Sequence, residues 1–243
     1  MATSSRFQLD ASKIEATVAL LTRRINERFP ESGLHSVCQH LHGIAAAARK
    51  RAERIRRPIL WVRVVSGLMI SAVLAVLAYT VTQVVKVPVQ AGGRIGPGDF
   101  VQMLEAGINS ALLVGATVLF LVTLEGRIKR RRALKALHEL RAIAHVIDMH
   151  QLTKDPERAL GLGSDTASSP KRVMTPFELT RYLDYCSEML SLGGKIAAVY
   201  AQDLDDTVVV DAVNDIDDLT TGLSRKIWQK ITILNDWAAR SKP

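Results

Sequence analysis

The chain has 243 residues, of which 23% are charged and only 5% aromatic, and its net charge is +8. Twelve of its 32 lysines and arginines crowd into two short blocks, and without those twelve the balance would be −4. So local a charge, with aromatics too few and too scattered for a base-stacking platform, argues against nucleic acid as the partner.

The first 63 residues read as two helices. Ser12 and Glu15 form a capping box, and Ile14, Val18, Leu21 and Ile25 follow on one face. Phe29-Pro30-Glu31-Ser32-Gly33 breaks that helix. A second is expected from Leu34, with Leu34, Val37, Leu41, Ile44 and Ala48 as its apolar stripe. The pair should fold as an antiparallel hairpin ending near Pro58, which marks a boundary or kink.

The first basic block follows: Arg49, Lys50, Arg51, Arg54, Arg56 and Arg57. It leads into an uncharged apolar run over 64–85, and a second such run covers 106–124. At helical rise the two extend about 33 and 28 Å, enough for a hydrocarbon core of about 30 Å. The second basic block comes next, with Arg127, Lys129, Arg130, Arg131, Arg132 and Lys135. The connection over 86–105 carries only Lys86 and Arg94, offset by Asp99 and Glu105.

Basic flanks stay on the cytoplasmic side, so both termini should be cytoplasmic and the connection outside. Arg63, at the inner edge of the first run, is placed to snorkel to the headgroups. A ring of such charge attracts anionic lipid headgroups, which makes Arg49, Lys50, Arg51, Arg54, Arg56, Arg57, Arg127, Lys129, Arg130, Arg131 and Arg132 a candidate lipid surface. About sixty mostly polar residues precede the first run, so no secretory signal is expected there. The opening MATSSR has an organellar flavour, but transit peptides avoid acids such as Asp10 and Glu15; a bacterial inner membrane is the preferred address. Cys38 and Cys186 both fall in the expected cytoplasmic part, so free thiols are expected.

Pro88, Gly92, Gly93, Gly96, Pro97 and Gly98 give the outer connection turn chemistry. A helix start at Asp99 with Gln102 should then run unbroken from about Phe100 to Leu152, roughly 80 Å. Asp155-Pro156-Glu157 can start a short helix, and 161–174 reads as a polar linker. Thr175-Pro176-Phe177-Glu178 restarts the helix with a capping box and a first-turn proline. Phe177, Leu183, Cys186, Leu190 and Ala197 are its expected buried face. A last helix near 207–239 places Val209, Val213, Ile216, Thr220, Leu223, Ile227, Ile231 and Leu234 at 3–4 residue steps, a seam suited to helix packing.

The expected fold is therefore an all-α integral membrane protein, a two-span transmembrane helical hairpin with a cytoplasmic helical bundle built from both termini. Its divisions are 1–63, 64–124 with the outer loop 86–105, 125–160, the linker 161–174, and 175–243.

Several constellations carry candidate chemistry. His35, Cys38 and His42 share a helical face and could hold a transition metal with a further ligand. The CxxC pairing that makes zinc sites recognisable is missing, so small polar residues at a helix interface are the simpler reading. His145 and Asp148 face the same way, with His138 one heptad earlier. They could shuttle a proton, but no nucleophile accompanies them, and a hydrogen-bonded histidine at a bundle interface is preferred. Asp211, Asp215 and Asp218 form a row opposite the last helix's apolar seam. That row reads as a solvated face, with a basic partner surface as the alternative. Asp203-Leu-Asp205-Asp206 lacks the glycine and glutamate of a calcium loop.

Small residues line both apolar runs: Gly67, Ser71 and Ala75 in the first, Ala111 and Gly115 in the second. Such rows favour close packing within the hairpin or between subunits. No glycine-rich phosphate loop, Ser-His-Asp set or HExxH is present. No catalytic residue and no cofactor is expected. The preferred function is a non-enzymatic inner-membrane scaffold, adaptor or accessory subunit, with another protein or a second copy as partner. The alternatives are an oligomeric two-span channel or ion-transport regulator, drawing on Asn109, Thr117 and Thr123, and, more weakly, a membrane-bound metal or redox sensor.

Overall fold

The computed structural model describes residues 8–91, 97–161, 167, 174–202 and 204–240. These form seven helices and no strand: α1 (Ala11–Arg28), α2 (Gly33–Arg56), α3 (Leu60–Ala91), α4 (Pro97–Leu152), α5 (Pro156–Ala159), α6 (Pro176–Ala201) and α7 (Thr207–Arg240). Gly92, Gly93 and Gly96 of the expected outer loop, most of the 161–174 linker, and Asp203 lie outside the described residues.

Local chemistry sets the helix ends, and not always where the sequence placed them. Ser12 is not the cap of α1. The Asp10 carboxylate caps it, accepting from the backbone N–H groups of Ser12 at 2.9 Å and Lys13 at 3.4 Å and from the Ser12 hydroxyl. A charged acceptor is the stronger partner for the positive end of a helix. Glu15 turns instead to Arg49, at 3.5 Å. Thr175 does cap α6: its hydroxyl accepts from the Glu178 N–H at 3.2 Å, and Glu178 accepts from the Thr175 N–H at 2.9 Å.

The outer connection is shorter than its prolines and glycines imply. α3 continues through Lys86 and Pro88 to Ala91, and α4 begins at Pro97 rather than Asp99. A proline removes one helical hydrogen bond, which a long helix can absorb. In a first turn it removes an N–H that had no partner anyway. α4 then runs to Leu152, as its apolar pattern predicts, across Gly107, Gly115 and Gly126.

Two compact units result, Arg57–Arg131 and a second made of Met1–Arg56 with Arg132–Pro243. In the second unit α6 is central. α1, α2, α5 and α7 all pack against it, and fourteen of its 26 residues are buried. Phe29, at the turn between α1 and α2, is buried edge-to-face against Tyr182 and Tyr185, with ring centroids 5.6 and 6.3 Å away. Gly194 lets α7 come close, since a Cβ there would lie 3.2 Å from Asp217 Oδ1 and 3.4 Å from Thr220 Oγ1.

The apolar faces expected of α1, α2 and α7 are buried, residue for residue. Phe177 is not: it is exposed in the first turn of α6, with the Arg28 guanidinium 5.3 Å from its ring centroid. The C-terminal half of α4 contributes Ala133, Ala136, Leu137, Leu140, Ile143, Ala144 and Ile147 to the same core. Its last carbonyls are satisfied by Lys230, whose Nζ donates to the Gln151 and Lys154 oxygens at 2.7 and 2.9 Å. Burial holds that ammonium below its ordinary pKa.

In the Arg57–Arg131 unit, Ile59, Val62 and Ser66 are buried, and Ile70, Val73 and Leu77 continue the same face of α3 half-buried. Val114, Val118 and Leu121 are the corresponding half-buried positions of α4. Leu68, Leu112 and Leu113 are among the many apolar residues left exposed. Both helices are long and apolar enough to cross a membrane.

Leu223, 5% exposed on the α7 seam, should cost about 2–5 kcal/mol when changed to alanine. Asp211→Ala, on the exposed face, should stay within about 0.5 kcal/mol. Denaturant unfolding of both variants in detergent checks the pair.

Candidate functional site

The chain leaves α2 at Arg56 and re-enters a helix at Leu60, with Pro58 between. That break frees the Ile59 N–H from helical pairing, and Glu125, directly after the second apolar run, accepts from it at 3.2 Å. The same carboxylate accepts from Arg63 Nε at 2.6 Å and Nη2 at 3.4 Å, and pairs with Lys129 Nζ at 2.9 Å. Its side chain is 15% exposed. The Arg63 hydrogen bond, helped by Lys129 and the Ile59 N–H, outweighs burial and brings the carboxyl from an ordinary 4.5 to about 2. At neutral pH Glu125 is therefore a fixed anion that clips the bases of α3 and α4 together, with no proton to donate.

This clip changes two expectations and adds a residue to which none was attached. Arg63 does not simply snorkel, because its guanidinium is engaged by Glu125. Lys129 is not a free lipid contact, since its side chain is 13% exposed and ion-paired. Glu125 itself was overlooked. The signal was there: it is the first charge after the apolar run and stands four residues before Lys129, the favourable order for a helical ion pair.

The other basic residues are distributed unevenly. Arg51 is paired with Glu139 and Arg49 with Glu15. Arg127 lies over the Phe120 ring, 5.4 Å from its centroid. Lys50, Arg54, Arg56, Arg57, Arg130, Arg131 and Arg132 are exposed.

The small-residue rows do not make the hairpin seam. Gly67, Ser71, Ala75, Ala111 and Gly115 are all exposed, and a Cβ at Gly67 or Gly115 would meet nothing within 4 Å. Ile59, Val62, Ser66, Ile70, Val73 and Leu77 take the less exposed face of α3 instead. Side-chain size marks where helices can approach, not which helix arrives.

His35, Cys38 and His42 are not brought together with a further ligand; among the described residues no three His, Cys, Asp or Glu side chains form a metal-binding group. Cys38 is buried against α1, its Sγ 3.3 Å from Thr22 Oγ1, and burial pushes its thiol pKa up. Cys186, likewise a free buried thiol, is pushed up to about 12 by burial. His138 and His145 are exposed, and the Asp148 carboxylate accepts from Gln151 Nε2 at 2.6 Å. His150 is half-buried over Gly33, where a Cβ would sit 2.6 Å from its Cε1. Asp211, Asp215 and Asp218 are exposed, as expected of a solvated face, and Asp215 lies 3.8 Å from Arg141. Trp228 and Trp237, on opposite sides of α7, are each exposed.

No family model matches the chain, and no curated protein or solved structure does either.

Because the folded pKa of Glu125 lies below its unfolded value, its contribution is complete above about pH 4.5 and is lost as the pH falls towards about 2. Glu125→Gln should cost about 1.5–3 kcal/mol near neutral pH, the scale of a hydrogen bond to a charged group. The gap between wild type and variant should close over that acid window, as read by thermal melts in detergent. A pH-independent gap would contradict the ion-pair account.

Proposed function

We propose that the chain is a non-enzymatic scaffold, adaptor or accessory subunit of a bacterial inner membrane. α3 and α4 anchor it as a two-span hairpin, and the unit built from both termini presents cytoplasmic helix faces to another protein or a second copy. The observation that carries this reading is the division of the chain. A pair of exposed apolar helices is inserted between the two halves of one well-packed helical unit.

Further features support it. The basic blocks fall at the junctions between the two units, on the terminal side of each apolar run, as the positive-inside rule requires of cytoplasmic flanks. Trp61, 66% exposed in the first turn of α3, sits where interfacial aromatics are enriched. On α7 the aspartate row and the exposed Trp228 and Trp237 offer charged and aromatic groups of the kind protein interfaces use.

An oligomeric channel is the second reading, favoured by the exposed small-residue rows. Against it, the Thr117 and Thr123 hydroxyls donate to carbonyls of their own helix, at 2.8 and 2.9 Å, and so are partly spent as pore-lining groups.

In a chain with Cys38 and Cys186 changed to alanine, a cysteine placed at Gly93 should react with an impermeant reagent added outside, and one at Ser168 should not. The reverse pattern would invert the orientation, and equal labelling at both would remove the membrane span. A symmetric ring in detergent would select the channel over the adaptor.

A further inference from the structure

Within the Met1–Arg56 and Arg132–Pro243 unit, a cleft of about 380 Å³ lies between the end of α2 and α4. Arg51, Arg54 and Ile55 line one wall, and Arg132, Lys135, Ala136 and Glu139 the other. Helical spacing explains the convergence. Positions 51, 54 and 55 share one face of α2, as do 132, 135, 136 and 139 on α4. Ile55 and Ala136 are buried, so the floor is apolar and the rim is basic.

Four cations face a single carboxylate. Glu139 is already committed to Arg51 by a charge-assisted hydrogen bond that fixes the guanidinium, and the buried Tyr200 lies behind Arg51. Arg54, Arg132 and Lys135 are exposed and, among the described residues, have no ion pair with an acid. A concave site with a net excess of three positive charges is complementary to a multiply charged anion. Guanidinium forks with an ammonium beside them match the oxygens of a phosphate.

We propose that this cleft is a binding site for a phosphate-bearing anion, supplied by an anionic lipid headgroup or by a free phosphate. The lipid source rests on the membrane reading above. Arg54 stands ten residues before the first apolar run and Arg132 eight after the second, and basic pockets on that side of such runs take headgroups. The free-phosphate source does not depend on that reading.

The test uses the full-length chain in neutral detergent. It is titrated with cardiolipin or phosphatidylcholine, read by native mass spectrometry, and separately with radiolabelled inorganic phosphate in equilibrium dialysis. Cardiolipin should be retained saturably and phosphatidylcholine should not. Arg54→Gln with Arg132→Gln should weaken retention about tenfold or more. Arg23→Gln with Lys226→Gln removes equal charge at exposed positions outside the cleft and outside both basic blocks, and should stay near wild type. Arg54→Lys with Arg132→Lys should recover most of the binding, which separates loss of charge from loss of fold.

Inorganic phosphate bound saturably, and lost in the Arg54 and Arg132 glutamine pair, would support the site with a soluble source even if the chain proved not to span a membrane. Equal losses from the two glutamine pairs would reduce the effect to diffuse surface charge and overturn the proposal. Saturable binding of neither probe would overturn it too.

Discussion

The larger unit depends on burying one broad face of α6. Tyr182, Leu183, Cys186, Met189, Leu190, Ile196, Ala197 and Tyr200 share that face and are all buried, while Ser191 and Lys195 on the other side are exposed. No single partner can cover so wide an apolar surface. α1 and α2, from the N-terminal end, and α7, from the C-terminal end, pack on it together. At about 1.5–3 kcal/mol for each large apolar side chain removed from water, this helix supplies much of the drive that closes two distant stretches of chain into one unit. The aromatic contact of Phe29 with Tyr182 and Tyr185 and the close approach at Gly194 fix how the surrounding helices meet it.

Glu125 holds a comparable position in the smaller unit. The apolar faces of α3 and α4 give their pairing little directional information, because one aliphatic surface is much like another. A carboxylate that collects Arg63, Lys129 and the Ile59 N–H does give direction. It ties the first turn of α3 to one point on α4 and supplies an acceptor for a backbone donor orphaned by the break at Pro58. Three donors drawn to one acceptor are what make the cluster act as a clip.

The uneven fate of the basic residues bears on function. Lys129, Arg51 and Arg49 are tied up in ion pairs, whereas Arg54, Arg132 and Lys135 converge on one cleft. The positive flanks are thus more than a uniform coat of charge. Some positions stabilise the fold, and others are left to meet a ligand. The exposed aspartates and tryptophans of α7 are chemistry of a different kind.

What the sequence determined by itself is what one-dimensional periodicity can carry. The seams of α1, α2 and α7 were legible because each helix is buried on one side only, which leaves a 3–4 residue repeat. Thr175-Pro176-Phe177-Glu178 was legible because its capping bonds are local. The two apolar runs were legible because they are long and free of charge, and both are helical. α6 was only partly legible: Leu183, Cys186, Leu190 and Ala197 are buried as their spacing implies, but burial spreads on to Tyr182, Met189, Ile196 and Tyr200, and Phe177, apolar by type, stays outside. Only the tertiary structure decided that Asp10 and not Ser12 caps α1, that the row from Ile59 to Leu77 and not Gly67, Ser71 and Ala75 forms the less exposed face of α3, and that Glu125 and Arg63 meet. Each of these is a choice among partners distant in sequence or competing in space. A residue's own chemistry states what it can bond, and the packed fold selects which bond it makes.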